Sequence, residues 1–305
     1  MPRKLILKNH QCPGDALAMT ASVFSLHTEY PGQFVTDVRT TAWQLWEHNP
    51  HITSIASDDP EATTITCEYP AIHRSNSETG HMIEAFCEFL GKQLNLALPC
   101  RTNHPVLYLS DEEKGWVNQV QETFTAGRGI KYWLINAGSK NDMPAKQWPV
   151  EYYQQVVNET KHCIQWVQIG AAEHNHPRLD GVLSLVGKTD TRQLIRLAYH
   201  SSGGLGGITF LAHVMAALRK PYICMAGGRE PQQWIQYPLQ HTLHSIGQLA
   251  CCATKACWKS KVMSDGSDSL CERPVFGMQT PVAQCMAMIQ PREVVAIAER
   301  LACAH

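Results

Sequence analysis

RQLIRLAYHSSGGLGGITFLAHVMAALRKPYICMAGG, residues 192–228, is the stretch of sequence that decides the fold. Apolar residues recur at helical spacing in RQLIRLAYHS and again in TFLAHVMAALRK, which predicts two amphipathic helices. PYICMAGG is a short apolar run that ends at two glycines, a pattern typical of a buried strand, and SGGLGGIT between the helices predicts a glycine-rich loop. A helix that leads into a buried strand with glycines at its carboxyl end is typical of an α/β fold with parallel strands.

The same alternation of strands and helices continues along the chain. The predicted strands are KLILKNH (Lys4–His10), QFVTDV and ITSIA in the first half, and KYWLINAGS (Lys131–Ser139) and CIQWVQIG in the second, with the polar stretch FTAGRG (Phe124–Gly129) between the halves. We therefore expect an α/β protein with two Rossmann-like doubly wound domains, at residues 1–127 and 128–250, that face a cleft. A cysteine-rich segment at 251–289 and a C-terminal helix at 290–305 complete the predicted division.

The composition excludes several classes of protein. The chain has 305 residues, of which 44% are apolar, so it is long enough for two domains with buried cores. A net charge of −1 gives no basic excess for binding nucleic acid. No apolar run reaches the ~18 residues of a membrane span, and the opening MPRKLILKNHQCPGD lacks the apolar stretch of a signal peptide, so we expect a cytoplasmic protein. Charged residues make up only 17%, which leaves surface for contacts in a homo-oligomer.

The loops at the carboxyl ends of the predicted strands are rich in glycine, serine and asparagine. They are HQCPGD, NAGSKND, IGAAEHN, SGGLGGIT and AGGREPQQW. Backbone N–H groups in such loops can approach a ligand closely, and helix N-termini favour phosphate groups. None of the loops is G-x-G-x-x-G with a following acid or G-x-x-x-x-G-K-[ST], so neither a simple dinucleotide site nor a P-loop is predicted.

Three segments, in this order, share their motifs with one enzyme family. PGDALAMTASVFSLHTEYP carries Gly-Asp before a helix of small and apolar residues, and Asn49-Pro50 follows it. INAGSKNDMPAKQWPVEYYQQVV carries a glycine-containing loop and then Lys-x-Trp-Pro before a helix. The segment 185–234 carries Gly-Lys-Thr, His-x-x-Ala-Ala-Leu, Lys-Pro and a glycine-rich loop. The ordered set resembles glycosyltransferase family 9, the bacterial heptosyltransferase family.

The resemblance implies a fold and a reaction. The fold is GT-B, two Rossmann-like domains that face each other across a cleft. The reaction is an inverting transfer of a sugar from a nucleotide sugar, which is ADP-heptose in the best-known members, and it needs no catalytic metal. The acceptor stays open between a lipopolysaccharide core, a protein hydroxyl and a small molecule.

The resemblance also implies roles for individual residues. Asp15 corresponds to the catalytic base that deprotonates the acceptor hydroxyl, although an aspartate at this position is also a common helix N-cap. Lys146 corresponds to a ligand of the departing diphosphate, and its alternative is an exposed lysine with its stem over Trp148. Gly138 and Ser139 would supply further donors to the donor nucleotide.

The other half of the predicted donor site is GGITFLAH. Gly206, Gly207 and Thr209 would lie at a helix N-terminus that favours a pyrophosphate, and His213 matches the family histidine, with a packed structural histidine as the alternative. The family pattern has Asp-Thr/Ser-Gly where this chain has Ile208-Thr209-Phe210, so an acidic contact to the donor is lost. In AGGREPQQW, Glu230 would touch the nucleotide or sugar and Arg229 a phosphate, unless both are solvated loop charges.

Cysteines cluster near the C-terminal end. Cys252, Cys257, Cys271 and Cys285 have the spacing C-x4-C-x13-C-x13-C, with Cys251 adjacent. Four thiolates favour tetrahedral zinc or a mononuclear iron, with free thiols as the alternative, and disulfides need an oxidising compartment that the sequence does not indicate. The segment resembles the iron-binding finger of the bacterial autotransporter heptosyltransferases, which implies a structural iron or zinc.

Three functions follow, in order of preference. The first is a glycosyltransferase that uses a nucleotide sugar. The second is a nucleotide-sugar epimerase or hydrolase of the same fold, which has the cleft but no acceptor. The third is a non-catalytic binding or assembly module, which the lost acid at Ile208 makes credible.

Overall fold

The N-terminal part of the chain forms a sheet of three parallel strands in the order β2-β1-β3. The structure is a computed structural model that describes residues 1–78, 80–116, 118–123, 130–266 and 268–302. The strands are β1 (Arg3–Asn9), β2 (Phe34–Thr40) and β3 (Ala62–Thr66), and the helices up to residue 123 are α1 (Pro13–Glu29), α2 (Met82–Leu94), α3 (Asp111–Gly115) and α4 (Gln119–Thr123). The central strand, β1, is buried at Leu5, Ile6 and Leu7, as expected for a strand covered on both faces.

The predicted strand ITSIA is wrong. Residues 52–56 form only an isolated bridge, Thr36 to Ile52, and the third strand is β3. The Asp37 carboxylate accepts the N–H of Ile55 at 2.8 Å, so a side chain takes the donor that a β-ladder would use. The sequence ATTIT of β3 was missed because only Ile65 in it is apolar and buried.

The second sheet holds six parallel strands in the order β6-β5-β4-β7-β8-β9. Its strands are β4 (Tyr132–Asn136), β5 (Gln165–Gln168), β6 (Leu183–Ser184), β7 (Gly203–Gly207), β8 (Tyr222–Gly227) and β9 (Gln240–His244). The main helices of this part are α5 (Val150–Thr160), α6 (Thr191–His200), α7 (Phe210–Ala217) and α10 (Pro291–Ala302). Numbered within the sheet, the order is 3-2-1-4-5-6, that of a Rossmann fold, whose strand order reverses between β4 and β7.

The glycine-rich loop predicted at SGGLGGIT is mostly a strand, because Gly203–Gly207 forms β7 in the middle of the sheet. Large side chains fill the space that a Cβ would need: a Cβ on Gly203 would lie 2.6 Å from the Trp133 ring. A Cβ on Gly206 would lie 2.6 Å from the Tyr222 hydroxyl and 2.9 Å from the Asn136 carbonyl oxygen. Glycine is required here for close packing rather than for a turn.

The remaining elements connect and cover the second sheet. They are α8 (Gln232–Ile235), α9 (Gln284–Ala287), β10 (Pro274–Val275) and β11 (Val282–Ala283). The C-terminal helix α10 packs on α5, with Val294 and Ala298 fully buried. One apolar cluster includes residues of both sheets, and α1 packs on α7 between them.

The predicted domain boundary, FTAGRG, lies outside the described residues. No helix in the described part of the chain is long and apolar enough to cross a membrane.

Candidate functional site

A cavity of about 710 Å³ lies at the carboxyl ends of β4 and β7, where the order of the second sheet reverses. The α1 N-terminus and the segment after β3 form its other wall. Most of the predicted site residues line it, namely Asp15, Gly138, Ser139, Lys146, Thr209, His213 and Glu230. Gly206 and Gly207 lie inside β7 instead of at a helix N-terminus, so this part of the prediction is wrong.

Asp15 lies in the first turn of α1 and faces the cavity. The N-cap residue of this helix is Cys12, so the alternative that Asp15 is itself the N-cap is wrong. Burial raises the pKa of Asp15 to about 6, Glu230 acts in the same direction, and Lys146 opposes both. A carboxyl group with this pKa is charged at neutral pH, and the pKa is close to the value that suits a general base.

Lys146 ends a short 3-10 turn, Pro144–Lys146, and points into the cavity. Its Nζ lies 2.8 Å from Glu230 Oε1 and donates to the carbonyl oxygen of Ile208 at 3.2 Å. The predicted alternative, an exposed lysine, is wrong because only 21% of the side chain is exposed.

Glu230 and Arg229 form the other side of this charge cluster. Both residues are buried, so they are not solvated loop charges, and the Arg229 guanidinium donates to Glu230 Oε1. Burial opposes the charge of the Glu230 carboxyl, yet Lys146 and Arg229 together hold its pKa below the usual value. Both cations are therefore partly neutralised by one carboxylate.

His213 is packed under the N-terminus of α1. A Cβ on Gly14 would lie 2.9 Å from the His213 ring, so glycine at this position lets the two elements approach. His213 Nδ1 lies 2.9 Å from the Tyr237 hydroxyl. Burial lowers the pKa of His213 to about 3, with His81 and Lys146 acting in the same direction, so the imidazole is neutral. The histidine supports the position of the Asp15 turn and also lines the cavity.

Several buried polar atoms in the cavity wall have no partner within the described residues. They are Asn136 Oδ1, Thr209 Oγ1 and both ring nitrogens of His176. Unpaired buried polar atoms are rare in folded proteins and are often satisfied by a bound ligand or water. Asn136 ends β4, Thr209 follows β7 and His176 lies in the segment after β5, and a polar ligand in the cavity would meet all of these atoms.

Several cavity residues were missed by the sequence analysis, among them Asn136, His176, Tyr69 and Trp258. Asn136 ends a buried strand, which is a usable signal. His176 fills the space beside Gly138 and Gly170, 2.1 and 2.2 Å from where their Cβ atoms would lie, and no sequence pattern indicates this. Tyr69 lies next to Asp15 in a turn with φ of 43°, a strained value for a bulky residue. Burial raises the pKa of Tyr69 to about 12, and the Asp15 charge contributes.

Ser139 is less available to a ligand than expected. Its backbone N–H donates to the Asn175 carbonyl oxygen and its carbonyl oxygen accepts from the Asn175 N–H, both at 3.2 Å. The hydroxyl is the group that Ser139 offers to the cavity.

The cysteine-rich segment surrounds a second, small cavity of about 20 Å³, close to the volume of one water molecule. Its lining includes Cys251, Cys252, Cys257, Cys271 and Cys285, and none of the five is in a disulfide. Burial raises the pKa of the Cys285 thiol to about 11, and the neighbouring cysteine sulfurs act in the same direction. Within the described ranges only Glu47, His48 and Glu113 place three ligand atoms within 4.8 Å of one another, so the sulfurs do not form a closed ligand set. The donor chemistry fits a thiophilic metal, and the metal site stays a prediction.

Comparison with known proteins agrees with this arrangement. The sequence model of the family described as Glycosyltransferase family 9 (heptosyltransferase) matches residues 54–263. Among curated proteins, no significantly similar sequence is found.

Solved structures with the same fold cover nearly the whole chain. A glycosyltransferase family 9 protein from Veillonella parvula superposes with a TM-score of 0.67 at 14% identity, over 98% of this chain and 97% of that one. E. coli ADP-heptose lps heptosyltransferase II gives 0.63 at 14% identity, over 98% of both chains. The iron-containing dodecameric glycosyltransferase TibC from enterotoxigenic E. coli gives 0.65 at 15% identity, over 98% of this chain and 76% of that one. At these identities the likeness establishes the fold alone, an α/β fold with parallel sheets.

Proposed function

Because the chain belongs to glycosyltransferase family 9, we propose that it transfers a sugar from a nucleoside-diphosphate sugar to an acceptor hydroxyl with inversion. One observation carries this proposal. The carboxyl of Asp15 and the ammonium of Lys146 face one cavity, and the positive charge of Lys146 opposes the rise in the pKa of Asp15 that burial causes. A base and a cation on opposite sides of a reacting carbon are what an in-line displacement at a sugar requires.

In this proposal Asp15 is the general base. Its carboxylate takes the proton of the acceptor hydroxyl while the oxygen attacks the anomeric carbon, and the bond to the nucleoside diphosphate breaks on the opposite face. The pKa of about 6 keeps the group ionised at neutral pH, yet makes it a stronger base than an ordinary aspartate. The packing of Gly14 against His213 fixes the turn that carries the carboxyl.

Lys146 and the unpaired polar atoms would hold the diphosphate. The lysine ammonium offsets the charge that develops on the leaving oxygen, and Glu230 holds the ammonium in place before the donor binds. Thr209 is the N-cap residue of α7, so its unpaired hydroxyl and the first N–H groups of that helix suit a phosphate. Asn136, Gly138 and Ser139 line the same cavity, and Gly138 leaves the space in which His176 packs against this loop.

The proposed donor is an ADP-heptose-like sugar nucleotide. Two proteins of the same fold support this choice by what their names state: E. coli heptosyltransferase II is named for ADP-heptose, and TibC is described in complex with ADP-D-beta-D-heptose. We place the donor in the C-terminal domain, residues 128–250, and the acceptor in the N-terminal domain, residues 1–127. The acceptor is a hydroxyl of a glycan, a protein or a small molecule.

We propose a structural iron or zinc at the cysteine-rich segment, residues 251–289. Cys252, Cys257, Cys271 and Cys285 would hold it, because they line one small cavity and thiolates suit either metal. A site closed by four thiolates supplies rigidity and no reaction step. Cys251 lines the same cavity and is the competing ligand for the position of Cys252.

The test compares an Asp15→Asn variant with the wild-type protein. ADP binding is measured by titration calorimetry, and sugar transfer from ADP-heptose to a panel of glycan, peptide and small-molecule acceptors is followed by mass spectrometry. We expect the variant to bind ADP like the wild type and to lose transfer by a factor of about 10²–10⁴. Full transfer by the variant would reject Asp15 as the base. A wild-type protein that binds no nucleoside diphosphate would reject the function.

A further inference from the structure

The cysteine-rich segment is not remote from the donor cavity. Four hydrogen bonds join its residues 257–260 to the two loops that carry the charged residues of the site. The N–H of Cys257 donates to the Gly228 carbonyl oxygen at 3.1 Å, and the N–H of Trp258 to that of Arg229 at 3.0 Å. Arg229 Nε donates to the Lys259 carbonyl oxygen at 2.8 Å, and the N–H of Ala145 to that of Ser260 at 2.9 Å.

Trp258 is the residue of this segment that reaches the cavity. Its side chain lines the cavity wall, and the guanidinium carbon of Arg229 lies 5.3 Å from the centre of its ring. The backbone of Trp258 has φ of 55°, a left-handed conformation that a bulky residue rarely adopts. Strained residues of this kind persist where the surroundings hold them, and they concentrate at functional sites.

A chain of contacts leads from Trp258 to Lys146. The Trp258 ring faces Arg229, Arg229 donates to Glu230, and Glu230 Oε1 lies 2.8 Å from Lys146 Nζ. Arg229 Nη2 also lies 3.6 Å from the Met143 sulfur, at the start of the turn that ends at Lys146. A second path passes through the backbone, because Ser260 accepts from Ala145, the neighbour of Lys146.

We infer that Trp258 is a positioning residue for the donor site: through Arg229 and Glu230 it fixes the ammonium of Lys146 where a diphosphate binds. This inference rests on the proposed function for the ligand, but the contact chain exists without it. The cysteine-rich segment is then a wall of the donor site. Ligand binding at Lys146 and the rigidity of residues 257–260 are therefore coupled, and such coupling acts in both directions.

The experiment changes Trp258 in three ways. Trp258→Ala removes the side chain, Trp258→Leu keeps bulk without an aromatic face, and Trp258→Phe keeps the face that attracts a guanidinium. Trp116→Ala is the matched control, since Arg196 lies 4.1 Å from the centre of that ring and Trp116 is not among the cavity-lining residues. Melting temperatures establish that each variant is folded.

Two measurements follow: titration calorimetry with ADP, and amide hydrogen exchange of the peptide that contains residues 143–147. We expect the Ala and Leu variants to bind ADP roughly fivefold to thirtyfold more weakly and to exchange faster at Ala145 and Lys146. The Phe variant and the Trp116 control should bind ADP with an affinity within about twofold of the wild type.

The inference is overturned if Trp258→Leu keeps the wild-type ADP affinity and the wild-type exchange at residues 143–147. It is also overturned if Trp258→Phe loses as much ADP affinity as Trp258→Leu, because the role of the Trp258 side chain would then be packing alone. If the wild-type protein binds no ADP, the proposed function fails, and the exchange of residues 143–147 alone decides whether Trp258 positions Lys146.

Discussion

At the scale of single residues, the reactivity of the site depends on a few charges that control one another. Asp15, Lys146 and Glu230 line one cavity, and none of them is surrounded by bulk water. The pKa of Asp15 rises through burial and through the negative Glu230, and it falls through the positive Lys146. Substituting Lys146 or Glu230 should therefore shift the pH dependence of sugar transfer in a direction that the lost charge sets.

The pH profile of the wild-type enzyme is the first prediction. Since Asp15 must be ionised to accept a proton, transfer should rise with pH, reach half its maximum near pH 6, and then level off. Ionisation of His213 should add no second step to the pH profile in this range, because burial holds the pKa of His213 at about 3. The value of kcat/KM for the donor, measured from pH 4.5 to 8, checks this, because it reports the pKa values of the free enzyme. A midpoint close to 4 would show that burial does not act on Asp15 as described.

Substitutions on either side of the Lys146–Glu230 pair should move this midpoint in opposite directions. Glu230→Gln removes a negative neighbour, so the pKa of Asp15 should fall and the midpoint should move to lower pH. Lys146→Gln removes the positive neighbour, so the midpoint should move to higher pH, with a lower maximal rate because the leaving group loses its cation. Profiles that shift in the same direction for both variants would contradict the coupling.

At the scale of elements, the strand β7 shows what the sequence pattern reveals and what it hides. Strands such as PYICMAGG were predicted from apolar composition, and the observed β8 (Tyr222–Gly227) confirms that prediction. GGLGG carries almost no side chains, so neither composition nor alternation indicates a strand. Its place in the sheet depends on Trp133 and Tyr222, which come from other strands, and such distant packing is not visible in a local pattern.

A methyl group added to β7 should therefore be costly at one glycine and milder at another. Gly206→Ala places its Cβ 2.6 Å from the Tyr222 hydroxyl and 2.9 Å from a backbone oxygen that cannot move away. We expect it to lower the free energy of unfolding by about 1–3 kcal/mol. Gly204→Ala is the control, because its nearest neighbours lie at 3.1 and 3.3 Å and are side-chain atoms. Equal losses in urea denaturation would argue against close packing as the reason for glycine.

The cysteine-rich segment allows a prediction about metal. If Cys252, Cys257, Cys271 and Cys285 hold one ion, elemental analysis should find about one equivalent of iron or zinc in the wild-type protein. Cys271→Ser should lose the metal and bring faster proteolysis of residues 251–289, because the metal would order this segment. Cys251→Ser should keep the metal and the wild-type resistance to proteolysis. A wild-type protein that contains no metal and resists proteolysis would favour the alternative that these cysteines are free thiols.

At the scale of the whole molecule, the sequence predicted two α/β units and a cleft but not how the units are held together. The predicted motifs identify the fold family, and most of the predicted site residues meet in the cavity. Contacts between the two parts involve residues far apart in sequence, such as α1 on α7 and Arg192 on α3, and no local pattern encodes them. His176 and Tyr69 were missed for the same reason, whereas Asn136 ends a buried strand and carries a local signal.

Arg192 is one of the polar links between the two parts. Its guanidinium, on α6, donates to both carboxylate oxygens of Glu113 on α3 and to the carbonyl oxygens of Gln44 and Tyr108. Arg192 and Glu113 are 9% and 4% exposed, and without the other each would keep only a more distant charged partner, Glu47 at 3.6 Å from Arg192 and His48 at 3.5 Å from Glu113. Burial opposes the charge of the Glu113 carboxyl, but Arg192 and the Ser110 N–H hold its pKa below the usual value.

This pair predicts an asymmetric double-mutant cycle. Arg192→Met should lower the free energy of unfolding at pH 7 by up to about 3–5 kcal/mol, because the Glu113 carboxylate stays buried with only the Ser110 N–H and His48 as polar partners. Adding Glu113→Gln to Arg192→Met should recover part of that loss, since the remaining group carries no charge. In the wild type the stabilisation by the Glu113 carboxylate is fully present above the unfolded pKa of about 4.3 and is lost as the pH falls through the lower folded pKa. Arg192→Met should therefore reduce the loss of stability that the wild type shows at acid pH. A double variant that is less stable than Arg192→Met alone would show that the carboxyl stabilises the junction through contacts other than Arg192.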